Sequence, residues 1–166
     1  MLRLALVAII VLSSGVANAA EWHVGRDGVR RAGDAGSVAE QHLAAMRRGY
    51  RLGTVKLVRM RTLRSGDTDT VRFVQHHRGV PVVGGQAAVR VSSGLVVVAV
   101  IDVARDLTVD TTPRVSASEA GQLGAKHLGL PVAAVRRTEL VVLGDARAGG
   151  ALAWHVDLLT QGGGTR

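Results

Sequence analysis

An α+β fold is predicted for this chain, in which two small subdomains each pack a helix on an antiparallel β-sheet. Three observations predict it. Two Ser-x-x-Glu caps, at Ser37 and Ser116, each open a stretch of helically spaced apolar residues. Each stretch is followed by β-branched and apolar runs whose period is close to two. Most of these runs are joined by turns of a few residues, too short for a parallel crossover.

The first nineteen residues are read as an address. Arg3 precedes the uncharged run Leu4 to Leu12, and the small residues Ala17 and Ala19 follow it. That run is far shorter than the ~20 residues that cross a bilayer core. The pattern is that of a signal peptide cleaved after Ala19, so a secreted or periplasmic protein is expected. No later segment is long and apolar enough to suggest a stable membrane span.

Residues 20–36 are Gly- and Arg-rich without periodicity and are expected to form a flexible N-terminal segment. The cap Ser37-Val38-Ala39-Glu40 and the spacing of Val38, Ala39, Leu43 and Met46 predict a helix over about 38–48, stopped by Gly49. Strands are predicted at about 54–62, 70–77, 81–91 and 95–103. The turns Ser65-Gly66-Asp67, Arg78-Gly79 and Ser92-Ser93-Gly94 join them into a meander. Gly84-Gly85 inside the third strand marks a bulge or a close backbone approach.

Thr111-Thr112-Pro113 breaks the pattern. Ser116-Ala117-Ser118-Glu119 then opens a second helix over about 117–128, which Gly129 and Pro131 end. Two strands, at about 138–143 and 151–159, flank a turn from Gly144 to Gly150. The expected organisation is therefore a leader (1–19), a flexible segment (20–36), a first subdomain (37–107), a linker (108–115), a second subdomain (116–160) and a flexible tail (161–166).

The chain has 166 residues, with 21 Lys and Arg against 13 Asp and Glu. Cysteine is absent, which excludes a disulfide framework, a thiolate nucleophile and Cys-type metal sites. Loss of the leader removes Arg3 alone among the charged residues, so the mature part stays strongly basic. A cationic surface favours anionic partners. From Arg47 to Arg64 the cations Arg47, Arg48, Arg51, Lys56, Arg59, Arg61 and Arg64 occur with no carboxylate between them. This is the candidate partner-binding segment, set against the plainer reading of a solvated charged face. Tyr50 is its lone aromatic, so nucleic acid, which stacks on interleaved rings, is not the expected partner.

Catalytic signatures are missing. There is no His-Glu-x-x-His, Gly-x-Ser-x-Gly, phosphate loop or dinucleotide fingerprint. His76 and His77 are adjacent on a predicted strand and so point to opposite faces. His155 and Asp157 share a strand face, and Asp67-Thr68-Asp69 lies in a turn; an exposed pair and a solvated turn are the simpler readings. Trp154 is expected in the core with a partner for its N–H. No catalytic, cofactor-binding or metal residue is assigned.

The stretch from Val71 to Gly85 contains Arg72, Gln75, Gly79, Val80, Pro81, Val82 and Gly84 in a fixed order and spacing. It resembles the hairpin motif of the fungalysin/thermolysin propeptide (FTP) domain. Read physically, Gly79 and Pro81 restrict a tight reversal, Val80 and Val82 share a face, and Gln75 can bond backbone. Hairpin architecture is the favoured role for these positions. Downstream, Pro113 to Ala120, Glu139-Leu140-Val141-Val142 and Leu152-Ala153-Trp154-His155-Val156 resemble the PepSY-like half of the same propeptides. The two resemblances cover roughly residues 40–160.

The resemblance implies the pro-region of a secreted thermolysin-like zinc metalloprotease precursor, or zymogen. Such a pro-region acts as an intramolecular folding chaperone and inhibitor of its protease domain. Zinc is implied only for that protease domain, which this chain does not carry, so no cofactor and no activity of its own are expected here. The partner implied is a cognate metalloprotease domain, in cis or in trans. The alternative is a free-standing secreted PepSY/FTP-like binding module that inhibits peptidases in trans or binds an envelope polyanion. Both a fragment of a longer precursor and a complete protein fit the sequence.

Overall fold

A computed structural model describes residues 20–23, 28–144 and 149–159. The leader assigned to 1–19 and the tail assigned to 161–166 lie outside the described residues. In chain order the elements are β1 (Glu21–His23), α1 (Ala35–Ala45), β2 (Lys56–Ser65), β3 (Thr68–His77), β4 (Val80–Ser92), β5 (Leu95–Asp102), α2 (Ala117–His127), a 3₁₀ turn (Val132–Ala134), β6 (Val135–Leu143) and β7 (Ala151–Leu158). The fold is α+β, with helices laid on a curled, mostly antiparallel sheet.

Strands β2 to β5 form the expected meander, in the spatial order β1-β5-β4-β3-β2. Its turns follow from local chemistry. Between His77 and Val80 the two residues Arg78 and Gly79 both take positive φ, 48° and 91°. That is the signature of a type I′ turn, whose twist suits a two-residue hairpin. Ser93 and Gly94 repeat it between β4 and β5, at φ 48° and 76°.

Helix α1 packs Val38, Ala39 and Leu43 on Val71, Phe73, Ala87, Val89, Ala99 and Ile101, the inner side chains of the meander. Burial of these β-branched and apolar groups is the main source of stability in this half, at roughly 25 cal/mol per Å² of apolar area. A second cluster joins Ala125 of α2, Ala134 of the 3₁₀ turn and Leu158 of β7, with Val135 of β6 packed against it. Between the two sits a small bridge of Val82, Ala104 and Val142.

The bridge exists because β4 changes partner along its length. Val74 pairs with Gln86 and His76 with Pro81, so Gln75 alone faces residues 82–85. Within that bulge Val82 and Val83 pair in parallel with Val142 and Leu143 of β6. The sequence predicts only antiparallel neighbours; the connection from β4 to its parallel partner β6 runs through β5, α2 and the 3₁₀ turn and is long enough for a crossover.

Three further expectations are corrected. Residues 20–36 are not irregular throughout, because Glu21–His23 pairs with β5 from Ile101 to Ala99. Helix α1 is capped by Asp34, whose carboxylate accepts from the Ser37 N–H at 2.7 Å, and not by Ser37. It ends at Ala45 with Met46 as cap, after which turns return Tyr50 and Leu52 to the core. The Ser116 box forms as expected: its hydroxyl accepts from the Glu119 N–H, and Glu119 accepts from the Ser116 N–H at 2.8 Å.

Candidate functional site

The motif hairpin is built around one buried amide. Gln75 is 2% exposed; its Nε2 donates to the Ala104 carbonyl at 2.6 Å and its Oε1 accepts from the Ala104 N–H at 2.8 Å. A side chain thus supplies the backbone pairing that β4 gives up at its bulge, which leaves neither group of Ala104 bare. The glycines make room. Gly84 takes φ 77°, and a Cβ on Gly85 would lie 2.6 Å from Gln75 Oε1. Val80 and Val82 both pack toward the bridge cluster, with Pro81 between them. Arg72 is the exception, since its side chain is exposed and points away from this network.

The basic segment does not form one surface. Arg47 is a clamp: its guanidinium donates to the carbonyls of Gly53 and Val55, at 2.7 Å each from Nη2, and ties the end of α1 to the start of β2. Arg48 and Arg51 are exposed beside it, around a shallow depression lined by Ala44, Ala45 and Gly53. Arg59 lies on the inner side of β2 and reaches α1, 3.5 Å from Glu40 and 3.9 Å from Asp34. Its guanidinium occupies the space a Cβ on Gly36 would need. Arg64 stands opposite Asp69. Only Lys56 and Arg61 point to the outer face of the meander, because a bulge at Met60 reverses the alternation between Arg59 and Arg61.

That outer face is where charges from distant parts of the sequence meet. The pairings place Arg61, Arg72, Ala88, Val100 and Trp22 in one row across β2, β3, β4, β5 and β1. At ~4.8 Å per strand the row is about 19 Å long. Flanking rows hold Val58, Val74, Gln86 and Asp102 on one side, and Leu63, Thr70, Arg90 and Val98 on the other. None of these side chains is buried, and Trp22 is 72% exposed. Lys56, Arg61, Arg72 and Arg90 outweigh Asp102 there. Arg61 directly faces Arg72, a like-charge cross-strand pair that costs stability in the absence of an anion. The face is therefore cationic toward β2 and apolar toward β1.

Sequence reasoning found Arg61 and Lys56 by their charge run and Arg72 by the motif. It missed Arg90 and Trp22, although period-two alternation along each strand carries the signal that could place them on the same face.

The remaining candidates are structural or isolated. His77 Nε2 lies 3.0 Å from the Val109 carbonyl, while His76 is on the other face beside Lys56. His155 Nε2 lies 3.2 Å from an Asp157 carboxylate oxygen on β7. Asp67 lies in the β2–β3 turn and Asp69 on β3, and Thr68 Oγ1 donates to the Ser65 carbonyl across that turn. His42, fully buried in α1, bonds the Tyr50 hydroxyl at 2.6 Å, and His23 of β1 packs against the same ring, with centroids 4.4 Å apart and the planes tilted by 41°. Among the described residues no three His, Asp or Glu side chains converge on one point.

Trp154 is half-buried rather than in the core. Its indole N–H donates to the Val115 carbonyl at 3.2 Å, and its ring lines an open cavity of about 400 Å³ with Val109, Pro113, Leu140 and Leu152. Asp110, at the rim, is held below the usual carboxylate range first by the Thr112 backbone N–H and then by its hydroxyl.

Among the described residues no helix is long and apolar enough to cross a membrane. No family model matches the sequence, and no curated protein gives a significant match. Among solved structures, the C-terminal domain of Bacillus megaterium YpeB is similar at 13% sequence identity with a TM-score of 0.41. The similarity covers 84% of this chain and 62% of that one.

Proposed function

We propose that this chain is a non-catalytic binding module of the metalloprotease pro-region type, which assists folding of a thermolysin-like protease domain and restrains its activity. The observation that carries the reading is the cationic and apolar outer face of β1–β5, which no described element covers, presented by a frame whose hairpin is formed by the propeptide-like motif residues Gln75, Gly79, Pro81 and Gly84. The Gln75 amide ties β3 to the backbone of Ala104, just beyond β5, and so braces the frame behind this face.

The physical mechanism needs no reacting group on this chain. A surface that binds the folded protease domain and not its unfolded chain stabilises the folded form by mass action, about 2.7 kcal/mol at a concentration one hundred times Kd. Covalent linkage in a precursor raises the effective concentration, and a free-standing module acting in trans uses the same face without that gain. The cations steer an acidic protein surface toward the face, and the apolar half with Trp22 supplies the contact area. Zinc chemistry belongs to the protease domain and export to the leader.

The test is inhibition of a thermolysin-like protease by residues 20–166 at rising ionic strength, beside the double variant Arg61→Glu/Arg72→Glu. Inhibition by the native chain weakens as salt screens the face, and the variant is at least about tenfold weaker at low salt. Equal inhibition by both chains at all ionic strengths would remove this face from the account.

A further inference from the structure

The outer long side of β2 has no neighbour among the described residues. β2 (Lys56–Ser65) pairs only with β3 and forms one end of the meander. Apart from Leu57, every residue of the strand is exposed. The apolar side chains Val58, Met60 and Leu63 are 37%, 54% and 41% exposed, and they alternate with the cations Lys56, Arg59, Arg61 and Arg64.

An unpaired edge of this length is a template for another strand, and proteins blunt such edges with charges and bulges. β2 carries both devices, but their effect depends on the partner. A second copy of β2 brings cations against cations and is repelled. An acidic strand meets the same charges as attraction. Arg59 is already engaged by Glu40 and Asp34, whereas no ion pair among the described residues engages Lys56, Arg61 or Arg64. The bulge at Met60 leaves Arg61 to Ser65 as an uninterrupted stretch.

We infer that the 61–65 edge of β2 accepts a short, extended acidic segment of a protein partner as an added antiparallel strand. The alternation specifies the segment. Arg61 and Leu63 point to the outer face, Thr62 and Arg64 to the inner side. An antiparallel partner therefore reads carboxylate, apolar, small polar, carboxylate opposite Arg64, Leu63, Thr62 and Arg61. The backbone ladder supplies affinity and the two carboxylates supply selectivity. The inference is independent of whether the partner is a protease.

The experiment uses residues 20–166 and a capped peptide with a central Glu-Val-Thr-Glu, observed by amide NMR and fluorescence titration. Three comparison probes are a Lys-Val-Thr-Lys peptide and two forms of the acidic peptide N-methylated at alternate residues, one form for each register. The acidic peptide is expected to bind with shifts centred on amides 61–65, and the Lys peptide to bind at least about tenfold more weakly. One of the two methylated forms loses binding to a similar degree, because only one set of peptide N–H groups faces the edge. Arg61→Glu/Arg64→Glu reverses the charge preference. Equal binding by both methylated forms, shifts away from β2, no binding of the acidic peptide at millimolar concentration, or self-association of the chain through β2 would each overturn the inference.

Discussion

Gln75 holds together parts of the chain that the backbone alone leaves unpaired. Substitution by Leu keeps the volume and strands the N–H and carbonyl of Ala104, which is 7% exposed. The expected loss is about 3 kcal/mol, read as a lower urea midpoint with an unchanged slope. Gly85→Ala attacks the same contact from the other side, since its Cβ would press on Gln75. It is expected to cost about 1–3 kcal/mol, and the double variant less than the sum of the two because the lesions share one contact. Independent, additive costs would show that the amide and the glycine do not act together. The importance of Gln75 was legible in the motif, because Gly79-Val80-Pro81 announces a tight reversal beside it. Its partner was not legible, since Ala104 is far away in sequence and only the register brings it near. Arg47 carries the same lesson: in the sequence it is one cation of a run, and in the fold its charge is spent on two carbonyls.

The helices were readable where their caps are local. The Ser116 box gave the start of α2 without error, because every group in it lies within four residues. Asp34 was overlooked because Gly36 and the preceding glycines read as loop; the glycine is tolerated in the first turn since Arg59 fills the space beside it. These caps carry a pH dependence. Asp34 is held below its ordinary value of 3.8 by the Ser37 backbone N–H and then its hydroxyl, and Glu119 below 4.5 by the Ser116 backbone N–H and then its hydroxyl. A depressed folded value means that the contribution is fully present above 3.8 and 4.5 respectively, and is lost as pH falls through the folded values below them. Thermal melting between about pH 6 and 2.5 is therefore expected to show a steeper acid limb for the native chain than for Ser116→Ala. Parallel curves would remove Glu119 from the acid response. The strands β2 to β5 were legible from alternation and turn residues. β1 was not, because three residues carry no period and their pairing with β5 is long-range.

At the scale of the whole molecule, net charge was legible and its distribution was not. The seven cations from Arg47 to Arg64 scatter to a helix end, the inner side of β2 and the outer face, and the face is completed by Arg72, Arg90 and Trp22 from other strands. Alternation and the bulge at Met60 decide this, and Arg59-Met60-Arg61 holds no glycine or other residue to mark that bulge. The parallel union of β4 with β6 was hidden for a similar reason: Val82 and Val83 read as ordinary hairpin residues, although Gly84-Gly85 did mark the place where the strand departs from β3. In the proposed role this frame presents a surface that templates and restrains a protease domain. That role is tested most directly by refolding a denatured thermolysin-like protease domain with and without residues 20–166, then following its peptidase activity. Folded protease is expected to recover faster in the presence of the chain, with activity suppressed until the added chain is digested. Unchanged yield and unchanged activity with the cognate enzyme would contradict it.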